Sequence, residues 1–274
     1  MKHTYKLTVL LSIFLFISCS EDKPETPIYP TKEYQLVWED DFNGNGKPDP
    51  SKWGYELGYI RNNEAQLYTN NLANVRVENG TLIIESIKEE ISMGGETAQY
   101  SSASIITKNK ASWTYGKIEV KAKIAGGRGL WPAIWMLGDN ISEVGWPKCG
   151  EIDIMEHVGF KSDQVFANIH TKSFNHTIGT GKGDAATITN PYNEYHVYAI
   201  EWTKEKIDIS LDNNVYFTFN KLSNYSLDEW PFDQSFYLIL NVAVGGSWGG
   251  QEGIDDTVFP EKMTVDYVKV YQLK

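Results

Sequence analysis

Short runs in which apolar residues alternate with polar ones recur along this 274-residue chain, and they limit its possible folds more than any other feature. Residues 116–124 and 206–211 show this period of two, which is typical of strands with one buried face. Gly, Asn, Asp and Pro separate the runs, and helical periodicity is nearly absent apart from one turn at 226–230. Many short strands in one domain predict an all-β sandwich or barrel.

The strands expected from this pattern lie at residues 81–87, 104–108, 116–124, 131–137, 151–157, 165–170, 194–202, 206–211, 214–220, 236–242 and 263–273. Asp212-Asn213-Asn214 suits a hairpin turn between two of them. Periodicity alone does not decide between a sandwich and a barrel.

The N-terminus has the features of a targeting segment. Two lysines precede an apolar run at residues 7–17, a length that suits a signal peptide and is short for a membrane span. The run ends at Ser18-Cys19, which resembles the lipobox of bacterial lipoproteins and implies cleavage before Cys19 and lipidation of its thiol. Ser20-Glu21-Asp22 resembles an acidic tag that sends some lipoproteins to the cell surface. The expected location is therefore the outer membrane, and an ordinary secretory peptide, giving a secreted or periplasmic protein, is the alternative.

These features divide the chain into a signal peptide at 1–18, a lipidated cysteine and flexible tether at 19–33, and one domain at 34–274. The tether contains three prolines and little to bury. A net charge of −11 without a basic cluster argues against nucleic acid and favours a neutral partner. With Cys19 lipidated, Cys149 has no disulfide partner, and a small buried thiol is favoured over a nucleophile.

Three carboxylates lie within six residues at Glu151, Asp153 and Glu156, with apolar residues between them. A helix would give neither one acidic face nor one apolar face. On a strand Glu151 and Asp153 share a face, but Glu156 is at an odd spacing and points inward. A β-bulge that accommodates Met155 returns Glu156 to the face of the other two acids.

Such a row of acids suits a retaining glycosidase, in which one carboxylate is the nucleophile and a second, kept protonated, is the general acid. Crowding supports this division of roles, because nearby like charges raise at least one pKa. A solvated acidic strand face and a divalent-cation site are the alternatives. The aromatic, glycine-rich surroundings of the motif favour a sugar cleft.

The ExDxxE motif, with His157-Val158-Gly159 after it, resembles glycoside hydrolase family 16. The resemblance implies a concanavalin-like β-jelly roll sandwich with a concave substrate cleft, and the bulged form of the motif is typical of laminarinases. We expect Glu151 to be the nucleophile, Glu156 the acid and base, and Asp153 the hydrogen-bonding residue between them.

Several polar and aromatic side chains are candidates for substrate binding. Trp131 and Trp135 share a strand face and could form a floor for sugar rings, since indoles offer broad apolar surfaces. Trp146 lies in a Trp-Pro-x-Cys-Gly-Glu stretch that the family places beside the cleavage point, and Trp248 lies in a glycine-rich loop. The other candidates are Asn63, Arg128 and His170.

His170 is expected beside Glu156 as a hydroxyl donor, because it ends the next strand. A zinc role would need further spaced ligands, which the sequence around it does not supply. Many family members hold a structural calcium on the convex side, and the matching positions are Asp41, Gly80 and Asp266. Asp41 replaces the usual Glu, and this shorter acid is expected to weaken or rearrange the site.

The resemblance implies an endo-acting enzyme for β-1,3 or mixed β-1,3/1,4 glucans that needs no catalytic cofactor. Two alternatives stay open. One is a surface glycan-binding lipoprotein with a silent cleft, and the other is a family 16 hydrolase for another β-linked polysaccharide, a xyloglucan or an agar-type galactan.

Overall fold

The computed structural model describes Met1 and residues 33–274. The predicted signal peptide, the lipidation site Cys19 and most of the tether lie outside the described residues. The strands of the described part are β1 Tyr34–Asp40, β2 Gly54–Glu56, β3 Gln66–Tyr68, β4 Val75–Glu78, β5 Thr81–Met93, β6 Glu96–Ser102, β7 Ser104–Ile106, β8 Gly116–Lys123, β9 Leu130–Gly138, β10 Glu151–Glu156, β11 Gln164–His170, β12 Lys182–Thr187, β13 His196–Trp202, β14 Lys206–Leu211, β15 Asn214–Asn220, β16 Phe236–Val244 and β17 Glu261–Leu273. The helical elements there are short: α1 Ile141–Val144 and the 3₁₀ turns His176–Ile178 and Asp256–Val258.

The strands form two sheets. The first has ten strands, with the path β15-β14-β13-β8-β17-β5-β6-β3 and with β1 and β4 paired beside it. The second has seven strands in the order β12-β11-β10-β9-β16-β7-β2. Nearly every pairing is antiparallel, and β3 with β6 is a parallel pair. This two-sheet arrangement confirms the predicted all-β jelly roll sandwich.

The alternation along β9 shows how the second sheet serves two purposes. Ile134 and Met136 belong to the main core between the sheets, together with Ile118 and Val120 of β8. Trp135 of the same strand packs on the opposite face, outside that core. Since successive side chains point to opposite faces, one strand builds both the core and the floor of a cleft.

The predicted strands are present: β14 and β15 have the predicted bounds, β5 extends to Met93, and the others differ by one or two residues at one or both ends. Asp212 and Asn213 both have positive φ, as the predicted hairpin turn requires. In segment 226–230 the Trp230 amide donates to the Ser226 carbonyl at 2.8 Å, which closes one turn.

The strands that the pattern did not predict are β1, β2, β3, β4, β6 and β12. Two of them have three residues, too few to show a period, and β12 has the sequence Lys-Gly-Asp-Ala-Ala-Thr, which lacks the apolar alternation of a half-buried strand. In residues 33–274 no helix is long and apolar enough to cross a membrane.

Candidate active site

Strand β10 carries the three acids, and its pairing with β9 contains the predicted bulge. Asp153 lies opposite Trp135 and Met155 opposite Ile134, so Ile154 is the extra residue. The prediction of a bulge is confirmed, but its position at Met155 was wrong by one residue. Ile154 and Met155 are both fully buried in the main core, because the bulge lets two consecutive side chains face inward. Glu156 therefore turns back to the cleft face.

The two glutamates are held by neutral hydrogen-bond donors. The indole nitrogen of Trp131 donates to Oε1 of Glu156 at 3.0 Å, and Nδ2 of Asn168 donates to its Oε2 at 2.7 Å. The indole nitrogen of Trp146 donates to Oε2 of Glu151 at 2.8 Å. These bonds fix both carboxyl groups without neutralising either of them.

The sequence predicted His170 beside Glu156, and this position was wrong. His170 lies beside Glu151, because the β10–β11 register pairs residues 151 and 170. Its Nε2 is 3.3 Å from Oδ2 of Asp153 and 3.6 Å from Oε1 of Glu151. Oδ2 of Asp153 is buried and has no hydrogen-bond partner among the described residues. The imidazole thus stands between two acids.

Burial and mutual repulsion raise the pKa values of all three acids. For Glu151, burial and then the charge of Asp153 raise the pKa to about 8, while His170 and the Trp146 hydrogen bond act in the opposite direction. Burial and the charge of Glu156 raise the pKa of Asp153 well above its ordinary value. Burial also raises the pKa of Glu156, against the lowering effects of His170, Asn168 and Trp131. The group therefore retains protons near neutral pH, as the crowding predicted.

The acids lie in a cleft of about 1040 Å³ on the outer face of the seven-stranded sheet. Of the predicted binding residues, five line it: Trp131, Trp135, Trp146, His170 and Trp248. The two others do not. Asn63 is exposed outside the lining, and its neighbour Asn62 takes the cleft position. The Arg128 guanidinium donates to the carbonyl of Glu252 at 2.7 Å and thus fixes a loop beside the cleft.

Comparison with known proteins identifies the family. The model for glycosyl hydrolases family 16 matches residues 61–269. A β-glucanase from Rhodothermus marinus is 44% identical over 277 residues, which cover 98% of this chain and 93% of that protein. The chain belongs to glycoside hydrolase family 16.

Solved structures of the family agree with this assignment. The laminarinase from Rhodothermus marinus has a TM-score of 0.84 and 46% identity, over 89% of this chain and 99% of that one. A mutant of SCLam, a non-specific endo-β-1,3(4)-glucanase co-crystallised with 1,3-β-D-cellotriosyl-glucose, has a TM-score of 0.85 and 46% identity, over 90% of this chain and 98% of that one.

In this family 16 hydrolase the cleft tryptophans have different environments. The Arg61 guanidinium covers one face of Trp135 at 4.8 Å, and the Trp135 indole nitrogen donates to Asn241 at 2.7 Å. Trp146, by contrast, has 36% of its surface exposed. Trp248 packs edge-on against Trp131, with 5.6 Å between the ring centroids. Trp146 is therefore better placed than Trp135 to offer an open ring face to a sugar.

Sequence reasoning missed a polar network along one cleft wall. Glu64 accepts from Gln66 at 2.8 Å, and burial raises the Glu64 pKa. Asn241 donates to the Tyr68 hydroxyl at 3.0 Å, and the Glu56 carboxylate pairs with Arg61. Glu64 directly follows Asn63, which the sequence had selected as a binding residue, so the prediction missed Glu64 by one position. Asn241 lies in an apolar run and gave no signal.

The three predicted calcium positions converge on β17. Strand β1 meets β17 at Asp40 and Val268, and β5 meets it at Leu82 and Val265, so residues 41, 80 and 266 come to the same part of the sheet. The Asp266 carboxylate, however, pairs with the Lys121 ammonium at 2.8 Å. Any cation at this position would compete with that ion pair.

Cys149 is fully buried, and burial together with the Glu151 charge raises the pKa of its thiol to about 12. A thiol with so high a pKa is a poor nucleophile at neutral pH. This environment agrees with the packing role that the sequence favoured.

Proposed function

We propose that this family 16 hydrolase is a retaining, endo-acting β-glucanase that cleaves β-1,3 or mixed β-1,3/1,4 glucans. The observation that carries the proposal is the placement of Glu151 and Glu156 on one face of a bulged strand, each oriented by an indole donor in an open, aromatic cleft. The similarity to a laminarinase and to a non-specific endo-β-1,3(4)-glucanase supports the same substrate class.

In the first step a Glu151 carboxylate oxygen attacks the anomeric carbon, and the bond from that carbon to the leaving oxygen breaks. Glu156 gives its proton to the leaving oxygen, so one chain end departs with a new hydroxyl group. In the second step Glu156 takes a proton from water, the water oxygen bonds to the anomeric carbon, and Glu151 leaves as a carboxylate. The product keeps the β configuration.

The electrostatics of the three acids support this exchange of roles. The charge of Glu156 is one of the causes that raise the Glu151 pKa, so the two groups repel when both are ionised. While Glu151 is ionised it helps Glu156 to hold its proton. Once Glu151 is esterified this repulsion disappears and the pKa of Glu156 falls, which makes it a base. Asp153, whose pKa is raised well above the ordinary value, is placed to share a proton with Glu151.

The cleft lining favours a neutral chain. Its cationic groups in the described part are Arg61 and Lys108, beside its histidines. Arg61 is paired with Glu56, and the Lys108 ammonium lies 5.3 Å from the centre of the Tyr237 ring. A sulfated polysaccharide would call for several cations that no acid neutralises, whereas Lys108 is the one such lysine or arginine in the described lining, so glucan is favoured over charged galactans.

The test is release of reducing ends from laminarin and from barley β-glucan. We expect short oligosaccharides from both, formed with retention as read by NMR of the first product anomers. Glu151→Gln is expected to lower kcat at least about 1,000-fold with the fold intact by circular dichroism. Tight glucan binding without new reducing ends would instead support the glycan-binding alternative, and inverted anomers would remove Glu151 as nucleophile.

We also propose that Cys19 carries a lipid that anchors the enzyme in the outer membrane. The support is the lipobox-like sequence before Cys19. Cys19→Ala is expected to abolish incorporation of labelled palmitate and to move the protein to the soluble fraction. Incorporation that persists in the variant would contradict this anchor.

We propose in addition a weak structural calcium site formed by Asp41, the Gly80 carbonyl and Asp266, because the strand register brings these positions together. The ion must displace Lys121 from Asp266, so Tm should rise only at millimolar calcium and fall back in EDTA. Lys121→Met should lower the calcium concentration that is needed. An unchanged Tm in both proteins would exclude the site.

A further inference from the structure

The side chains of Glu151, Asp153 and His170 form a compact donor cluster at the centre of the cleft. One ligand-type atom from each residue lies within 4.8 Å of the other two. Two of these atoms, Oδ2 of Asp153 and Oε1 of Glu151, face the same nitrogen, Nε2 of His170. A carboxylate pair with an imidazole is a donor set that suits borderline divalent ions such as Zn²⁺.

The distances match such an ion closely. Around a tetrahedral ion with bonds of about 2.0–2.1 Å, neighbouring ligand atoms are about 3.3–3.4 Å apart. The observed separations from the His170 nitrogen are 3.3 Å to Asp153 and 3.6 Å to Glu151. The ligand atoms of the two carboxylates lie within 4.8 Å of each other.

The hydrogen bonds leave the required atoms free. Oδ2 of Asp153 has no hydrogen-bond partner in the described part of the chain, although Nε2 of His170 lies 3.3 Å away, and only 2% of the Asp153 surface is exposed. Trp146 donates to Oε2 of Glu151, which leaves Oε1 directed at His170. In contrast, both oxygens of Glu156 accept hydrogen bonds, one from Trp131 and one from Asn168.

We propose that Glu151, Asp153 and His170 bind one Zn²⁺ ion from the cleft side, with water as the fourth ligand, and that the bound ion excludes glucan. The binding part stands on the cluster geometry alone. The inhibition part rests on the proposed function, because the ion would occupy the nucleophile. Zinc and the glucan substrate should therefore compete, and zinc should raise KM while leaving kcat unchanged.

One feature sets the affinity. A metal-bound imidazole carries its proton on the other nitrogen, and Nδ1 of His170 has no acceptor among the described residues. Absence of that outer partner typically weakens metal binding about 10- to 100-fold. We therefore expect a Kd for zinc in the micromolar range, so that the ion acts as a reversible inhibitor and not as a resident cofactor.

The first experiment is calorimetric titration of the whole protein with ZnCl₂ in a buffer that does not chelate zinc. We expect one site, with no comparable heat from CaCl₂ or MgCl₂. His170→Gln should weaken binding by more than about 100-fold, because it removes a direct ligand. His176→Gln is the matched control, since its ring lies only 5.2 Å from that of His170 but outside the cluster, and it should bind zinc normally.

Zinc binding that survives in both His170→Gln and Asp153→Asn, with each variant shown to be folded by its thermal transition, would overturn the site. Loss of binding in His176→Gln would do the same. When the protein is first saturated with a laminarin-derived oligosaccharide, the heat of zinc binding should decrease, because the two ligands compete. Zinc binding without any glucanase activity would leave the metal site standing and reject the proposed function, so the two failures are distinguishable.

Discussion

Individual side chains in this cleft serve more than one purpose, and the indoles show it best. Trp131 and Trp146 line the cleft, yet each also donates its ring N–H to one of the two glutamates. Such a bond stabilises the ionised carboxylate and opposes the effect of burial. The protonation of the acids therefore depends on residues that a sequence search would select only for sugar stacking.

Replacement of Trp146 by Phe tests this dependence. The variant keeps an aromatic ring and loses the donor to Glu151, so the ionised form is less stabilised and the pKa of Glu151 rises. Glu151 must be ionised to attack, and the acid limb of kcat/KM should move to higher pH by about half to one unit. The measurement is a pH profile on laminarin.

Trp248→Phe is the control for that profile. Trp248 lines the same cleft, but its indole nitrogen donates to none of the three carboxyl groups. Its acid limb should coincide with that of the wild type even if KM rises. Equal shifts in both variants would show that the hydrogen bond from Trp146 does not set the pKa.

At the scale of the strand, the bulge in β10 decides which acids meet. Strand β9 places Trp135, Ile134 and Ala133 opposite Asp153, Met155 and Glu156, which leaves Ile154 without a counterpart. The alternation of acids and apolar residues was sufficient to predict that a bulge must exist. Its position could not be predicted, because Ile154 and Met155 are both apolar and both fit the core.

Deletion of Ile154 should give a regular ladder. Asp153 and Glu156 would then be two residues apart, opposite Trp135 and Ala133 as before, so the acids keep their face. We expect a folded protein with residual activity and a loss of about 1.5–3 kcal/mol of stability for one buried side chain. Urea unfolding and reducing-end assays measure the two effects.

Ile154→Ala serves as the companion variant, since it keeps the bulge and removes most of the same side chain. It should lose a similar amount of stability and retain more activity than the deletion. A deletion variant that is unfolded while Ile154→Ala is stable would mean that the bulge itself, and not only its apolar contacts, is required for the fold.

At the scale of the whole molecule, the main core and the cleft lie on opposite faces of one sheet. The alternation of apolar and polar residues predicted the all-β class and most of the strand positions, because half-buried strands have a clear period of two. Strands β2 and β3 were not predicted because three residues show no period, and β12 was not predicted because its residues are small or polar. Likewise Asn63 and Arg128 were misjudged because loop residues have no period that fixes their direction.

The buried acids should also make global stability depend on pH. The pKa of Glu151 rises from 4.5 to about 8 in the folded state, so between these values the folded protein holds a proton that the unfolded chain has released. Stability therefore falls as pH rises through this window. Glu151→Gln removes this loss and should be more stable than the wild type at pH 9, by about 2–3 kcal/mol after allowance for water in the cleft.

Urea unfolding at pH 5, 7 and 9 checks the sign. The two proteins should be nearly equal at pH 5 and diverge as pH increases. If the free energies of unfolding of the two proteins differed by the same amount at every pH, Glu151 would have the same pKa in the folded and the unfolded state.

The double use of Trp146 has a consequence for how this cleft can change. A substitution there that alters sugar contact also removes the N–H from Glu151, so substrate preference and working pH are expected to shift together. Trp135, whose N–H goes to Asn241, is free of that link to the acids. Variation in specificity at constant pH optimum should therefore arise first on the Trp135 side of the cleft.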